Sequence, residues 1–393
     1  MTETFGITFF ADTFPPSYDG VASVTGGLSR VLSARGHSVS VLTVRTKGQQ
    51  RMERTPEGVT IWRVPSFPAP RYPEYRIALF PPWVRGIHRG DVLHIHTPGM
   101  IGLMGLLAAR SQKVPSVGTY HTDLVGILRE AGSHVWSRKF YHAWGRFSRD
   151  LCLACTVATA PTSAALDRLK AALTPGSSRN LRVIENGVDL QLFFPGNPRG
   201  WDLLRMPSTQ RPLVTYLGRL TRDKGVLRFL DAVETLDPEI PFFAVVGGVG
   251  PEEDRVRQRI ATSPRLRDRA LFLGGVPEVA KPALLARSRV FVLPSLFDTS
   301  SVAVLEAMAS GVPCVLTNRG GPGDIGRRSR AGLLVDPEDP HAIGNAILRV
   351  LQEPGLASDL ARRGVEWVRS NASIERTAMA YEEVYRVAME VSA

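Results

Sequence analysis

Runs of apolar, β-branched residues alternate along the chain with segments whose apolar positions recur every three or four residues, the pattern of a parallel sheet crossed over by helices. In the first half GITFFA, VSVLTV, VTIWRV, VLHIHT, SVGTYH and TVATAP are expected as strands, and GLSRVLSARG, closing on a glycine helix stop, as the first crossover helix. A segment rich in proline and aromatics, PSFPAPRYPEYRIALFPPW, breaks the alternation and predicts a surface loop near a binding face. The second half restarts the pattern with PLVTYLG, FFAVVGG, ALFLGG, VFVLPS, PCVLTN and GLLVD, separated by helical stretches such as GVLRFLDAVETL and AVLEAMASG. Two doubly wound α/β units in tandem account for this order. Their linker is expected near residues 190–205, and the last segment, SIERTAMAYEEVYRVAMEV, reads as an amphipathic helix packing across the interdomain surface.

A length of 393 residues suits two domains, each able to bury its own core. The boundaries are expected at 1–195 and 196–370, with a carboxy-terminal helix over 371–393 crossing back to the first domain. With 44% hydrophobic and 22% charged residues the composition is that of a soluble globular protein, and no apolar run approaches the roughly 18–20 residues that span a bilayer. The start, MTETFGITFFADTFPPS, lacks a basic region and a small-residue cleavage site, so it reads as a first strand and predicts a cytoplasmic location. Three cysteines fit that compartment, and the CxxC of Cys152 and Cys155 reads as a pair of buried small apolar residues at a helix end. The net charge of +11 is uneven: 22 Lys and Arg face 13 Asp and Glu over residues 1–195, against 26 and 24 over the rest. The basic excess of the first half favours an anionic partner, either a membrane surface, a phosphorylated acceptor or a nucleic acid.

Open parallel sheets bind ligands at the carboxyl ends of their strands, where glycine turns and helix amino termini meet phosphate. Neither half has GxGxxG followed by a ribose-binding acid, which disfavours a dinucleotide oxidoreductase, and no GxxxxGK[ST] supports a P-loop NTPase. The strongest local signal is YLGRLTRDKGV, residues 216–226, where Arg219 and Lys224 sit beside a helix start and suit a diphosphate leaving group. In VFVLPSLFDTSSVAVLEAMASGVPCV, Asp298 is expected in the loop after a strand and Glu306 about two turns into the next helix. Carboxylates so placed can accept hydrogen bonds from sugar and ribose hydroxyls.

Taken in order, PSYDGVASVTGGLSRVLSARGHSVSVLT, DVLHIHTPGMIGLMGL, VGTYHTDL, IENGVD, LGRLTRDKG, LFDTSSVAVLEAMASGVP and GLLVDPEDP resemble the retaining glycosyltransferases of family 4 along essentially the whole chain. RYPEYRIALFPP, HTPG, GTYHTD and GGPGDI further resemble the branch of GDP-mannose-dependent α-mannosyltransferases and sulfoquinovosyl-lipid synthases. The resemblance implies the GT-B fold, with two Rossmann-like domains facing across a cleft. It implies transfer of a hexose from GDP-mannose or a UDP-sugar to an acceptor hydroxyl, on a lipid or glycolipid at the inner membrane surface; no metal or cofactor is expected, because the protein's own cations take the role of a divalent ion and the sequence has no paired-aspartate metal motif. It assigns Arg219 and Lys224 to the diphosphate, Glu306 to the ribose, Asp298 to the transferred sugar and His121 to the reacting centre. Gly20 would approach the phosphate, and the GGVP stretch 274–277, with Gly275 and Val276, would read the nucleobase. Where the family usually has Thr-Phe-Gly after the first acid, this chain has Thr299, Ser300 and Ser301; a serine hydroxyl there could supply a substitute sugar contact or obstruct one, and the departure bears on which sugar is taken.

Strand alternation puts His94 and His96 on one face, His94 as a structural residue and His96, with Asp123, on the acceptor side. In VWSRKFYHAWGRFSRDL the stripe Trp136, Phe140, Trp144, Phe147 and Leu151 predicts a helix packed on its sheet, with a basic face that can help docking on anionic lipid. A nucleotide-sugar epimerase and a non-catalytic sugar-nucleotide binder are the alternative readings. Nucleic-acid binding is suggested by charge alone, without a binding motif, and is set aside.

Overall fold

The structure is a computed structural model that describes residues 3–17, 19–69, 72–79, 90–121, 138–173 and 180–392. The chain divides into two compact units: the first runs to Gly187 and resumes at Ile374, and the second holds Val188–Ser373. Residues 190–205, read from the sequence as a linker, thus lie in the second unit, where Phe193 is buried in the core and the Asn197 side chain donates to Leu192 O at 2.6 Å.

The strands of the first unit are, in chain order, β1 (Gly6–Phe10), β2 (Ser38–Val44), β3 (Met52–Arg54), β4 (Thr60–Val64), β5 (Ser66–Ala69), β6 (Tyr72–Ala78), β7 (Val92–Ile95), β8 (Ser116–Thr119), β9 (Val157–Ala160) and β10 (Asn180–Val183). One sheet has the order β10-β9-β8-β7-β1-β2-β4-β3, parallel except where β3 meets β4. The direction of winding reverses between β1 and β7, which makes that gap the switch point. β5 and β6 form an antiparallel hairpin where a loop was expected. Prolines at 68 and 73 hide it in the sequence, because they break the periodicity by which a strand is recognised, yet an edge ribbon tolerates them.

Alternation along β1 sends Phe9 and Phe10 to opposite faces. Phe9 joins a core with Leu28 and Leu32 of the helix Gly20–Ala34 and with Tyr381 and Tyr385 of the last helix, Ile374–Ser392. Phe10 joins Ile101 and Met104 of the helix Met100–Gln112. Each fully buried ring contributes about 2–3 kcal/mol to folding. The last helix is held by Glu382, which takes a two-point bond from Arg35 at 2.6 and 2.8 Å and lies 2.9 Å from His37 Nε2.

The second unit has β11 (Leu213–Leu217), β12 (Phe243–Gly247), β13 (Ala270–Gly274), β14 (Ser288–Leu293), β15 (Cys314–Thr317) and β16 (Gly332–Val335), all parallel, in the order β13-β12-β11-β14-β15-β16. Its switch point lies between β11 and β14. Among the described residues no helix is long and apolar enough to cross a membrane.

Candidate active site

The turn after β11 carries both cations read from the sequence. The Tyr216 hydroxyl, at the end of that strand, donates to Arg219 O at 2.9 Å and ties the turn down. A short 3-10 turn, Arg222–Lys224, leads to Gly225 at φ +73°, from which the helix Val226–Thr235 starts. A Cβ on Gly225 would lie 2.1 Å from Pro294 O, so only glycine lets this turn press on the end of β14. The loop after β14 is stitched to it by Leu296 N donating to Asp223 O at 2.7 Å. Consequently the Lys224 ammonium bonds the Asp298 carboxylate, while Arg219 lies 3.9 Å from the buried Asp223. Burial pushes the Asp298 carboxyl above its ordinary range, against the pull of Lys224 and Arg219. Two buried hydroxyls on these loops, Thr221 Oγ1 and Ser295 Oγ, have no hydrogen-bond partner among the described residues.

The loop after β15 closes the cluster from the far side. Gly321 N donates to Asp298 O at 2.9 Å, and Gly320, at φ +58°, comes so close that a Cβ there would be 2.6 Å from the same oxygen. Three strand ends therefore fix the backbone of Asp298. The helix Val302–Ala309 opens after Ser301, which makes no side-chain cap bond. Glu306 is its fifth residue, a little over one turn in and not two, and it is buried. Burial raises its carboxyl to about 7, Lys281 lowering it and Glu278 adding to the rise. The loop after β13 exposes Gly275 and buries Val276; a Cβ on Gly275 would lie 3.1 Å from Val249, an exposed residue after β12.

In the first unit the strand ends carry histidines. His94 is fully buried and uses both ring nitrogens, Nδ1 with the Tyr385 hydroxyl at 2.8 Å and Nε2 with Thr119 Oγ1 at 2.7 Å. Its ring centroid is 3.8 Å from that of His96, whose Nδ1 lies 3.1 Å from His121 Nε2. Burial pushes His121 down to about 4 and His94 and His96 well below the ordinary range, so all three rings are neutral near pH 7. At the switch point, Asp12 accepts from the Thr97 hydroxyl at 2.5 Å, Gly99 N at 3.0 Å and Ile101 N at 3.2 Å. It thereby caps the helix Met100–Gln112, whose own Gly99 has no side chain to do so.

Residues 206–367 match the family described as Glycosyl transferases group 1, and residues 18–192 match Glycosyltransferase Family 4. A GDP-mannose-dependent alpha-mannosyltransferase of Mycolicibacterium smegmatis is 33% identical over 365 residues, 91% of this chain and 92% of that protein. The chain belongs to glycosyltransferase family 4. This glycosyltransferase uses a nucleotide-sugar donor, and its paired parallel-sheet units have the GT-B architecture. The fold is shared with HepE of Anabaena in complex with UDP-glucose, at a TM-score of 0.76 and 18% identity, covering 98% of this chain and all of that one. A UDP-Gal:alpha-D-GlcNAc-diphosphoundecaprenol alpha-1,3-galactosyltransferase of Escherichia coli is 28% identical over 270 residues, 67% of each protein.

Within the glycosyltransferase, Arg219, Lys224 and Asp298 come together, with Ser300, Ser301 and Glu306 on the same loop and helix. Sequence reasoning missed Asp223, Glu278 and Lys281; the first was visible inside TRDKG, and the others lie in the turn after GGVP, Glu278 next to it and Lys281 three residues on. Gly20 opens the helix Gly20–Ala34, but Asp19 already occupies the amides of Val21 and Ala22 at 3.0 and 2.9 Å. His96 requires a correction. It is fully buried and hydrogen-bonded to His121, so it does not meet an acceptor directly. Asp123, Trp136 and the side chain of Phe140 lie outside the described residues. In the described part of the basic helix, Arg138–Leu153, Phe147 and Leu151 pack into the core with Ile101 and Met104, as expected of the aromatic stripe. Cys152 and Cys155 are buried, and burial raises Cys155 to about 12, leaving both as thiols.

Proposed function

We propose that this glycosyltransferase moves a mannosyl group from GDP-mannose to a hydroxyl of a lipid-linked or glycolipid acceptor at the inner face of a membrane, with retention of anomeric configuration. The observation that carries the reading is the Lys224–Asp298 ion pair beside Arg219 at the switch point of the second unit. An arriving diphosphate competes with Asp298 for the Lys224 ammonium, because two phosphate charges outbid one carboxylate. Asp298, released from its cation, then accepts from a hydroxyl of the sugar. As the glycosidic bond to the diphosphate breaks, Arg219 and Lys224 receive the growing negative charge. The acceptor hydroxyl attacks the anomeric carbon on the face the diphosphate leaves, and its proton passes to the departing phosphate oxygen. Glu306 takes the ribose hydroxyls, Gly20 approaches the phosphate, Gly275 and Val276 line the nucleobase, and neutral His121 stands beside the sugar. The cations of the protein do the work that a metal does elsewhere, so the reading calls for no metal or cofactor.

The mannosyl assignment is supported by the Mycolicibacterium relative, and the lipid-linked acceptor by the Escherichia coli one and the basic excess of residues 1–195. Thermal unfolding with a panel of nucleotide sugars tests the donor: a ligand at about 100 times its Kd adds roughly 2.7 kcal/mol of stability. Stabilisation by UDP-sugars alone would sink the mannosyl reading. An inverted product anomer would sink retention, and full turnover on soluble acceptors with indifference to anionic vesicles would sink the membrane assignment.

A further inference from the structure

We infer that His96 is a positioning residue for the transfer reaction: through its Nδ1–H bond to His121 Nε2 it fixes the orientation of the His121 ring and places the His121 proton on Nδ1. This inference rests on the assignment of His121 to the reacting centre.

Two neutral imidazoles that meet nitrogen to nitrogen share one proton, and the contact at 3.1 Å between His96 Nδ1 and His121 Nε2 admits two arrangements. If His121 donated from Nε2, the His96 proton would sit on its own Nε2, which is buried and has no hydrogen-bond partner among the described residues. Either kind of unmet group costs desolvation, but buried N–H groups without an acceptor are the rarer of the two in folded proteins. His96 therefore donates from Nδ1 and His121 accepts at Nε2. A neutral ring that accepts at Nε2 carries its hydrogen at Nδ1.

The position of His96 is itself overdetermined. Its ring lies 3.8 Å from that of His94, and the edge of Phe9 meets it at 4.5 Å. His94 cannot turn, since Tyr385 and Thr119 hold its two nitrogens, and Tyr381 also bonds Thr119 at 2.9 Å. The last helix thus supports a rigid stack of rings, and from that stack the Nδ1 of His96 reaches His121. Within this reading His121 meets the substrate as a neutral N–H donor of set direction and does not act as a base through Nε2.

The test compares the wild-type enzyme with H96F, H96N and H121F. Phenylalanine keeps the stacked ring and removes the nitrogen; the asparagine amide can donate from nearly the place of Nδ1. Two-bond 1H–15N correlation spectra of enzyme labelled with 15N-histidine are expected to show His121 protonated at Nδ1 in wild type and H96N, and a mixture of tautomers in H96F. For H96F kcat is expected to fall about 10- to 100-fold with the donor KM changed little, as when a reacting group loses its alignment, and H96N should recover most of the loss. A His121 proton on Nε2 in the wild type overturns the inference. So does an unchanged kcat in H96F when H121F is impaired. Normal turnover by H121F is a separate signature: it removes His121 from the reaction and the role of His96 with it.

Discussion

At the switch point of the first unit, Asp12 reaches across the gap after β1 and satisfies the Thr97 hydroxyl and the amides of Gly99 and Ile101. The equivalent gap of the second unit holds Lys224 and Asp298 as an ion pair, Arg219 nearby, and two hydroxyls without partners among the described residues. The same winding of strands therefore serves two ends. In one unit the chain supplies its own anion to the helix start and the place is closed; in the other the chain gathers Lys224 and Arg219 beside Asp298 and Asp223, and the proposed function has a diphosphate compete for those cations. An anion-binding position in this fold is a property of the loop chemistry and not of the strand order.

That contrast can be broken most forcefully at Lys224. K224A or R219A is expected to lower kcat/KM by about 10²–10³-fold, roughly 3–4 kcal/mol of transition-state stabilisation; R219A leaves the thermal midpoint little changed, whereas K224A lowers it by stranding the buried Asp298 carboxyl. Steady-state kinetics beside calorimetry reads both, and unchanged turnover in the two single variants would refute the donor site. D12A is expected to behave in the opposite way, costing about 2–3 kcal/mol of stability through three lost hydrogen bonds. Denaturant titration measures that cost; a stability equal to wild type would show that Asp12 is not a structural plug.

Acidity should separate the units next. Folding holds His121 at about 4, below its ordinary 6.5, so between those pH values the unfolded chain binds more protons. The first unit therefore loses stability as pH falls through that window, about 3 kcal/mol of it from His121, with buried His94 and His96 acting in the same direction. Glu306 is raised from 4.5 to about 7, so the folded second unit keeps a proton that the unfolded chain releases, and its stability falls as pH rises through that window. Hydrogen exchange resolved by peptide at pH 5 and pH 7, corrected for intrinsic rates, should show the two units moving in opposite directions; parallel movement would contradict these assignments. The smallest effect is expected from S301G, a few tenths of a kcal/mol in stability, because Ser301 makes no cap bond that glycine would lose. A shift in donor KM without a shift in stability would identify Ser301 as a sugar contact.

Much of this was legible in the sequence for one physical reason: a strand buried on both faces must be apolar along its whole length. Thus TYLG, AVVG and VFVL announced β11, β12 and β14, whereas β10, on the sheet edge as NLRV, and the proline-bearing hairpin gave no such signal. Arg219 and Lys224 were visible because their turn is local. Asp12 with Thr97, His96 with His121 and His94 with Tyr385 were not, since their partners stand 85, 25 and 291 residues apart and only the folded sheet joins them. His96 was misread as facing the acceptor because alternation gives the face of a strand and says nothing of what covers it.

The helix Ile374–Ser392 belongs to the first unit although the whole of Val188–Ser373 precedes it in the chain. During synthesis Val188–Ser373 emerges as one unbroken stretch and can reach its native state directly. The earlier half has to wait with Phe9, Leu28 and Leu32 uncovered until Tyr381 and Tyr385 leave the ribosome. The second unit is thereby set to mature before the first, and a nascent chain stalled near Ser373 would be a target for chaperones on one half alone.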